Sequence, residues 1–249
     1  MVHVAALMFL TNAVDGEEPS GFSVWGRGEF WYARPNGRLV ITEGSRPGSG
    51  DIVRVGEEFG LRPRGVPGGE LGASLGDHRI RASYLDLRFR GTDDLDQTLI
   101  FHGTTYPVGE QIRAQVDLPR LSLNYDYDVW DTSWTKFRLG IVGHVYWFTA
   151  RLTSDTEDER RTYNRGVAAM TFSVDAKAGP VRIDADGSLG YTDSSHDLFG
   201  GIRVLVGGVL WKALEVGVGY RWERFDASAE TNIVALTIHG PTIALTLRF

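Results

Sequence analysis

The sequence predicts an all-β protein: one antiparallel, up-and-down transmembrane β-barrel of about ten strands. Three observations carry this. The first is the closing stretch Thr237 to Phe249, TIHGPTIALTLRF. From Ile243 on, Ile243, Leu245, Leu247 and Phe249 alternate with Ala244, Thr246 and Arg248. Side chains on a strand point to opposite faces with period two, so this strand has one greasy face and one wet face. The second is composition. There are 31 glycines and 28 aromatic residues among 249, set in short alternating runs, and no apolar run approaches a spanning helix. Such a helix needs ~20 apolar residues, whereas a barrel strand shows lipid only every second residue. The third is the rhythm of the connections. Short turns (Gly76-Asp77, Trp130 to Trp134, Gly179-Pro180, Lys212-Ala213) alternate with longer polar stretches (35–69, 91–110, 154–164, 193–198, 227–231). Short turns at one end and long loops at the other are the rule for membrane barrels. The pattern puts both termini on the short-turn, periplasmic side.

Residues 1–13 open with the apolar run Val2 to Leu10, followed by small residues, and read as a signal-peptide remnant. Residues 14–20 read as a flexible lead, and 21–249 as the barrel. Gly21 to Arg34 is the first strand, stopped by Pro35-Asn36-Gly37. A long outward excursion, 35–69, follows. Alternation resumes at Glu70, turns at Gly76-Asp77, and slips in parity at Tyr84-Leu85. A one-residue slip moves every side chain to the opposite face, so a β-bulge is expected there. The second long loop, 91–110, should hold a small hairpin around His102-Gly103. Gln111 to Val129, Lys136 to Thr153, Arg165 to Ala178, Val181 to Thr192, Phe199 to Trp211 and Leu214 to Asp226 complete the strands before the closing one.

If the apolar faces meet lipid, the polar faces line the interior. That set is Arg27, Glu29, Glu70, Arg79, Arg81, Asp86, Arg88, Arg120, Asp126, Asp128, Lys136, Arg138, His144, Asp175, Arg182, Asp184, Asp186, Arg203, Glu215, Arg221, Glu223 and Arg248. Its signs nearly balance, and arginine dominates the cations. The planar guanidinium suits partly buried carboxylates. Barrels near eight strands are filled by their own side chains. The expectation is therefore a salt-bridged plug centred on Arg27, Glu29, Arg79, Arg81, Asp126, Asp128, Arg138, His144, Asp184, Asp186, Arg221, Glu223 and Arg248. A narrow polar passage is the alternative. Aromatics near strand ends (Trp25, Trp31, Tyr32, Tyr125, Tyr127, Trp130, Trp134, Trp147, Tyr191, Trp211, Tyr220, Trp222) suggest interface girdles.

Other classes fit poorly. A net charge of −6 argues against a nucleic-acid partner. With no cysteine there is no disulfide or cysteine-ligated metal. The six histidines show no metal-ligand spacing, so no metal and no cofactor are expected. The run Ser194-Ser195-His196-Asp197 is contiguous, whereas a catalytic triad joins residues from separate elements. His144 faces the expected interior and is expected to hydrogen-bond a neighbouring carboxylate. No catalytic residue is assigned.

The alternating strands, the LTLRF terminus and RFRGT…IFHGTTYPVGEQI (88–112) resemble uncharacterised small outer-membrane β-barrel proteins of Gram-negative bacteria. Asp51 to Leu61 resembles an acidic element in the first long loop of such proteins. More distantly, the chain is similar to OmpA- and OmpW-like barrels. The resemblance implies an outer-membrane location and no defined activity. It also implies that Ile243, Leu245, Leu247 and Phe249 form the signal read by the barrel-assembly machinery. The functional expectation is a structural, anchoring or partner-docking component, with outer-membrane lipid as neighbour and a protein partner at the long loops. A narrow channel for a small or hydrophobic solute is the alternative, and a lipid-modifying enzyme ranks last.

Overall fold

A computed structural model describes residues 21–43, 49–192, 197–211, 213–229 and 232–249. The expected signal remnant and lead, and residues 194–196 and 212, lie outside the described residues. In chain order the strands are β1 (Phe22–Val40), β2 (Val53–Arg54), β3 (Arg64–Leu75), β4 (His78–Leu85), β5 (Arg88–Asp94), β6 (Leu99–Phe101), β7 (Thr104–Tyr106), β8 (Gln111–Asp117), β9 (Arg120–Asp131), β10 (Thr135–Thr153), β11 (Asp158–Ala178), β12 (Val181–Thr192), β13 (Asp197–Trp211), β14 (Leu214–Ala229) and β15 (Asn232–Arg248). Ten of them close a ring through antiparallel neighbours, β1-β3-β4-β9-β10-β11-β12-β13-β14-β15 and back to β1. The closing seam pairs Trp25 with Arg248 and continues to Val40 with Ile233. Phe249 and Val24 exchange backbone hydrogen bonds of 2.8 and 3.2 Å, which ties the start of β1 to the end of β15 at one rim. The remaining strands sit at the opposite rim. β8 pairs with the upper part of β10 and with β5, β2 pairs with the end of β1, and β6 and β7 form a separate hairpin.

The outer wall has two zones. On β1, Phe22, Val24, Phe30 and Tyr32 point outward and are exposed, and Arg34, Asn36 and Arg38 continue the same face above them. The switch recurs at Tyr84 to Asp86 and Arg88, at Trp147 to Thr149 and Arg151, and at Trp222 to Arg224. From Phe22 to Tyr32 a strand climbs about 25 Å, at ~3.3 Å per residue and ~40° of tilt, which is the height of a lipid-facing belt. Outward Tyr32, Tyr84, Trp147, Tyr191, Tyr220 and Trp222 mark its upper edge, and Trp130, Trp134, Trp211 and Phe249 its lower one. Trp25 and Trp31 do not belong to these girdles. They point inward, at 3% and 0% exposure.

The inward face switches at the same height, in the opposite sense. Inside the belt it carries Arg27 and Glu29 on β1, then Trp31, Ala33 and Leu39 above them. On β4 it carries Arg79 and Arg81, then Leu85, and beyond the strand Leu87 and Phe89. This corrects the bulge expected at Tyr84-Leu85. β4 keeps unbroken register with both β3 and β9 through Leu85. Parity never slips: the inward face itself turns apolar once the wall leaves lipid. The register shifts that do occur lie at Phe137/Arg138 and Val209/Trp211.

Other elements differ in extent from the expected ones. β1 runs through Pro35-Asn36-Gly37, with Pro35 opposite Ile238. Gly37 takes φ 135° against β15, where a Cβ would lie 2.0 Å from the Ala235 carbonyl. Residues 158–164, expected as loop, are strand and pair with β10 as far as Asp158 with Thr153. The stretch 227–231 is likewise strand to Ala229. Gln111 to Val129 is two strands, because Pro119 separates β8 from β9. β8 then pairs with β5 and β10, while β9 pairs with β4. The hairpin at His102-Gly103 is present, with φ of 51° and 85° at its two turn residues.

Candidate functional site

The interior within the belt is a lattice of arginines and carboxylates. Arg27 donates to Asp184 at 2.7 Å and to Thr246 at 3.1 Å, and lies 3.8 Å from Glu70. Arg203 bridges Glu29 at 2.8 Å and Asp186 at 2.9 Å. Arg221 reaches Glu29 at 3.1 Å and also pairs with Glu223. Arg120 grips Glu223 through two hydrogen bonds of 3.0 and 2.9 Å, a fork that only guanidinium supplies. Lower down, Arg81 pairs with Asp126 at 3.0 Å and Arg138 holds Asp128 and Asp175. Arg79 lies 3.6 Å from Asp175 and stacks on the Trp25 ring at 4.6 Å. At the lower rim Arg248 and Arg182 share Glu215, each at 2.9 Å.

Register explains how these partners meet. Asp184, Asp186 and Arg203 face inward across the β12–β13 pair, and Arg221 lies opposite Arg203 on β14. Glu29 and Arg27 reach them from β1, across the lumen. Residues more than 150 positions apart in the chain are thus joined by single hydrogen bonds. Two glycines make room for large rings, Gly72 beside the lattice and Gly187 on the outer wall, where Phe172 is exposed. A Cβ on Gly72 would lie 2.1 Å from the Trp25 ring, and one on Gly187 would lie 2.3 Å from Phe172.

The structure places all thirteen residues expected to centre the plug on the inward face, and twelve of them in ion pairs. His144 stands apart. Its Nδ1 lies 2.8 Å from Ser122 Oγ and its ring packs 4.4 Å from Phe199, so no carboxylate satisfies it. Asp86 and Arg88 do not belong to the interior. They pair at 2.8 Å on the outer wall above the belt. Glu70, Arg120, Asp175 and Arg203 lie at the lattice's junctions, although the sequence marks them only as members of a polar face. Nothing in strand periodicity ranks one inward charge above another.

Among the upper members of the lattice lies a cavity of about 90 Å³. It is lined by Arg27, Arg120, His144, Arg203 and Glu223 among others. That is room for a few waters, and unpartnered atoms such as Arg120 Nε and His144 Nε2 would give them partners. Above it the lumen is filled with hydrocarbon. Trp31, Tyr146, Phe148 and Phe199 meet Val53, Phe59, Phe89, Phe101 and Tyr106, which enter from the excursions 41–61 and 86–118. Arg221 stacks under Trp31 at 5.0 Å and Arg120 under Phe199 at 5.4 Å, so cation–π contacts join the two fillings. Among the described residues no group of three histidines or carboxylates is arranged to hold a metal ion.

A closed ten-strand ring with an apolar outer belt defines the class: the fold is that of the bacterial outer-membrane β-barrels. Among solved structures, the outer membrane protease OmpT of Escherichia coli is similar at a TM-score of 0.56, with 11% identity, over 91% of this chain and 97% of that one. Ail, the attachment invasion locus protein of Yersinia pestis, matches at 0.38 with 9% identity, over 92% of this chain and 99% of its own. The transport unit of the autotransporter AIDA-I from Escherichia coli matches at 0.39 with 11% identity, over 98% and 95%. No protein-family model matches the sequence, and no curated protein matches it.

Proposed function

We propose that the protein is a non-conducting outer-membrane barrel that acts as a structural, anchoring or partner-docking component. Its role would be to hold a rigid cap, the apolar filling and the strands β2 and β5 to β8, above the bilayer. One observation carries this reading: the lumen is filled twice, by an ion-paired lattice at belt height and by an apolar core above it. A conduit needs a continuous polar path, and here such a path would have to cross Trp31, Phe59, Phe89 and Phe101, each no more than 1% exposed. In this reading the cap faces outward, the rim where β1 starts and β15 ends faces the periplasm, and the parts of the expected excursions 35–69 and 91–110 that lie beyond the barrel strands would offer the docking surface. Outward Ile243, Leu245, Leu247 and Phe249 would serve the barrel-assembly machinery. The chain has no catalytic role here. Turnover of lipid A or phospholipid that disappears in a His144→Ala variant would overturn that point. Liposome swelling tests the reading as a whole. Liposomes carrying the protein should take up a small sugar no faster than empty ones, whereas protein-dependent swelling would favour the narrow-channel alternative.

A further inference from the structure

Directly above the belt, the outer wall carries a cleft of about 370 Å³ between β14, β15, β1 and β2. Its walls present Arg38, Arg54 and Arg224, and its floor presents Asn36 and Thr237. Arg224 is held by Asp226 at 2.7 Å, and Arg54 by Glu57 at 2.9 Å. Each of these pairs fixes one edge of a guanidinium and leaves its other donors facing solvent. Arg38 is exposed and makes no ion pair among the described residues, and Arg34 below it is the same. Register sets the spacing: Arg224 lies level with Thr237 and Asn36, and Arg38 one outward position higher. Two strand spacings of ~4.8 Å separate β14 from β1, so the arginines on either side can converge on one group over Thr237.

Height says what that group is. Thr237 sits one outward position above His239 and Trp222, the upper edge of the belt. That is about 5–7 Å along a strand, inside the headgroup layer of a bilayer. Below the row of Arg34, His239 and Trp222 the surface turns apolar, with Tyr32, Tyr220 and Pro241 outward and the Tyr220 hydroxyl fixed 2.6 Å from His239 Nδ1. A ligand bound here would have an acyl chain lying along β14–β15–β1 and an anion level with the arginines. We propose that this cleft binds the phosphate group of an outer-leaflet lipid, clamped by Arg38 and Arg224. Guanidinium recognises phosphate through paired charge-assisted hydrogen bonds. Glu57 and Asp226 also line the cleft. They orient the arginines and disfavour an anion without the apolar anchor, so lipid is preferred to free phosphate.

The proposal rests on the outer-membrane reading with the cap outward, and the test keeps the two separable. The full chain, folded in detergent, is titrated with bis-phosphorylated lipid A and with its dephosphorylated form, and bound lipid is counted by native mass spectrometry. Preference for the phosphorylated form is expected. Arg38→Gln with Arg224→Gln should weaken it about tenfold. Thr237→Glu, which puts a like charge on the floor, should do the same, while Arg113→Gln on the opposite wall should leave it unchanged. Equal affinity for both lipids, undiminished binding by the double variant and by Thr237→Glu, or occupation by inorganic phosphate as tight as by lipid would each overturn the site. Heat-modifiable gel mobility reports folding of every variant. A wild-type chain that stays monomeric in buffer without detergent would instead reject the membrane reading itself.

Discussion

Arg120 and Glu223 show what the interior asks of single residues. Both are more than nine-tenths buried and joined by a bidentate contact. Removing one member of such a pair leaves a charge stranded away from water, whereas replacing both with apolar groups is often neutral. Arg120→Ala should therefore cost about 3 kcal/mol, the low end for a broken buried pair because Arg221 still contacts Glu223. Arg120→Met combined with Glu223→Leu should recover part of that, since it removes the stranded carboxylate but leaves Arg221 with Glu29 alone. Urea unfolding in detergent, followed by gel mobility, measures both, and a double variant as unstable as the single one would contradict the pairwise account. Gly72 makes a second case. Its missing side chain is the space the Trp25 indole occupies. Gly72→Ala should destabilise by about 1–3 kcal/mol, as overpacking does, in the same unfolding assay. Inward charges were legible in the sequence because period-two alternation separates the faces. The same alternation puts Trp31 on the face of Arg27 and Glu29, but it and Trp25 also read as girdle residues, because an amphipathic ring suits both a lipid interface and a lumen.

At the scale of elements, the sequence was most legible where the wall crosses lipid. Strands with an apolar outer face and the tight turns at Gly76 and Gly179 were evident, and both glycines adopt the positive φ that such turns use. Legibility failed above the belt. There β11 carries Asp158, Arg160, Thr162 and Asn164 outward, so the run reads as a charged loop although it pairs residue by residue with β10. The apparent parity slip at Leu85 has the same origin. A strand that leaves lipid keeps its geometry and exchanges the chemistry of its two faces. Hydrogen exchange and limited trypsinolysis separate strand from loop directly. Amides of residues 158–164 should be protected and the Arg160-Arg161 bond should resist trypsin in the folded protein. Rapid cleavage there would contradict the extended β10–β11 hairpin.

The whole molecule is a barrel whose inside and outside exchange roles at one height. Within the belt, hydrocarbon faces out and charge faces in. Above it, charge faces out and hydrocarbon faces in, as in a soluble domain. The lattice was partly legible from sequence, since arginines and carboxylates fall on one face. The apolar filling was not, because its residues come from excursions that carry no long alternating pattern, such as Val53, Phe59 and Phe101. Both fillings bear on the central claim that the barrel does not conduct. Single-channel recording across a planar bilayer tests it most directly, using the purified full chain with insertion verified by heat-modifiable mobility. The folded barrel should leave a baseline indistinguishable from protein-free membrane. Reproducible unitary current steps from the folded protein would contradict it.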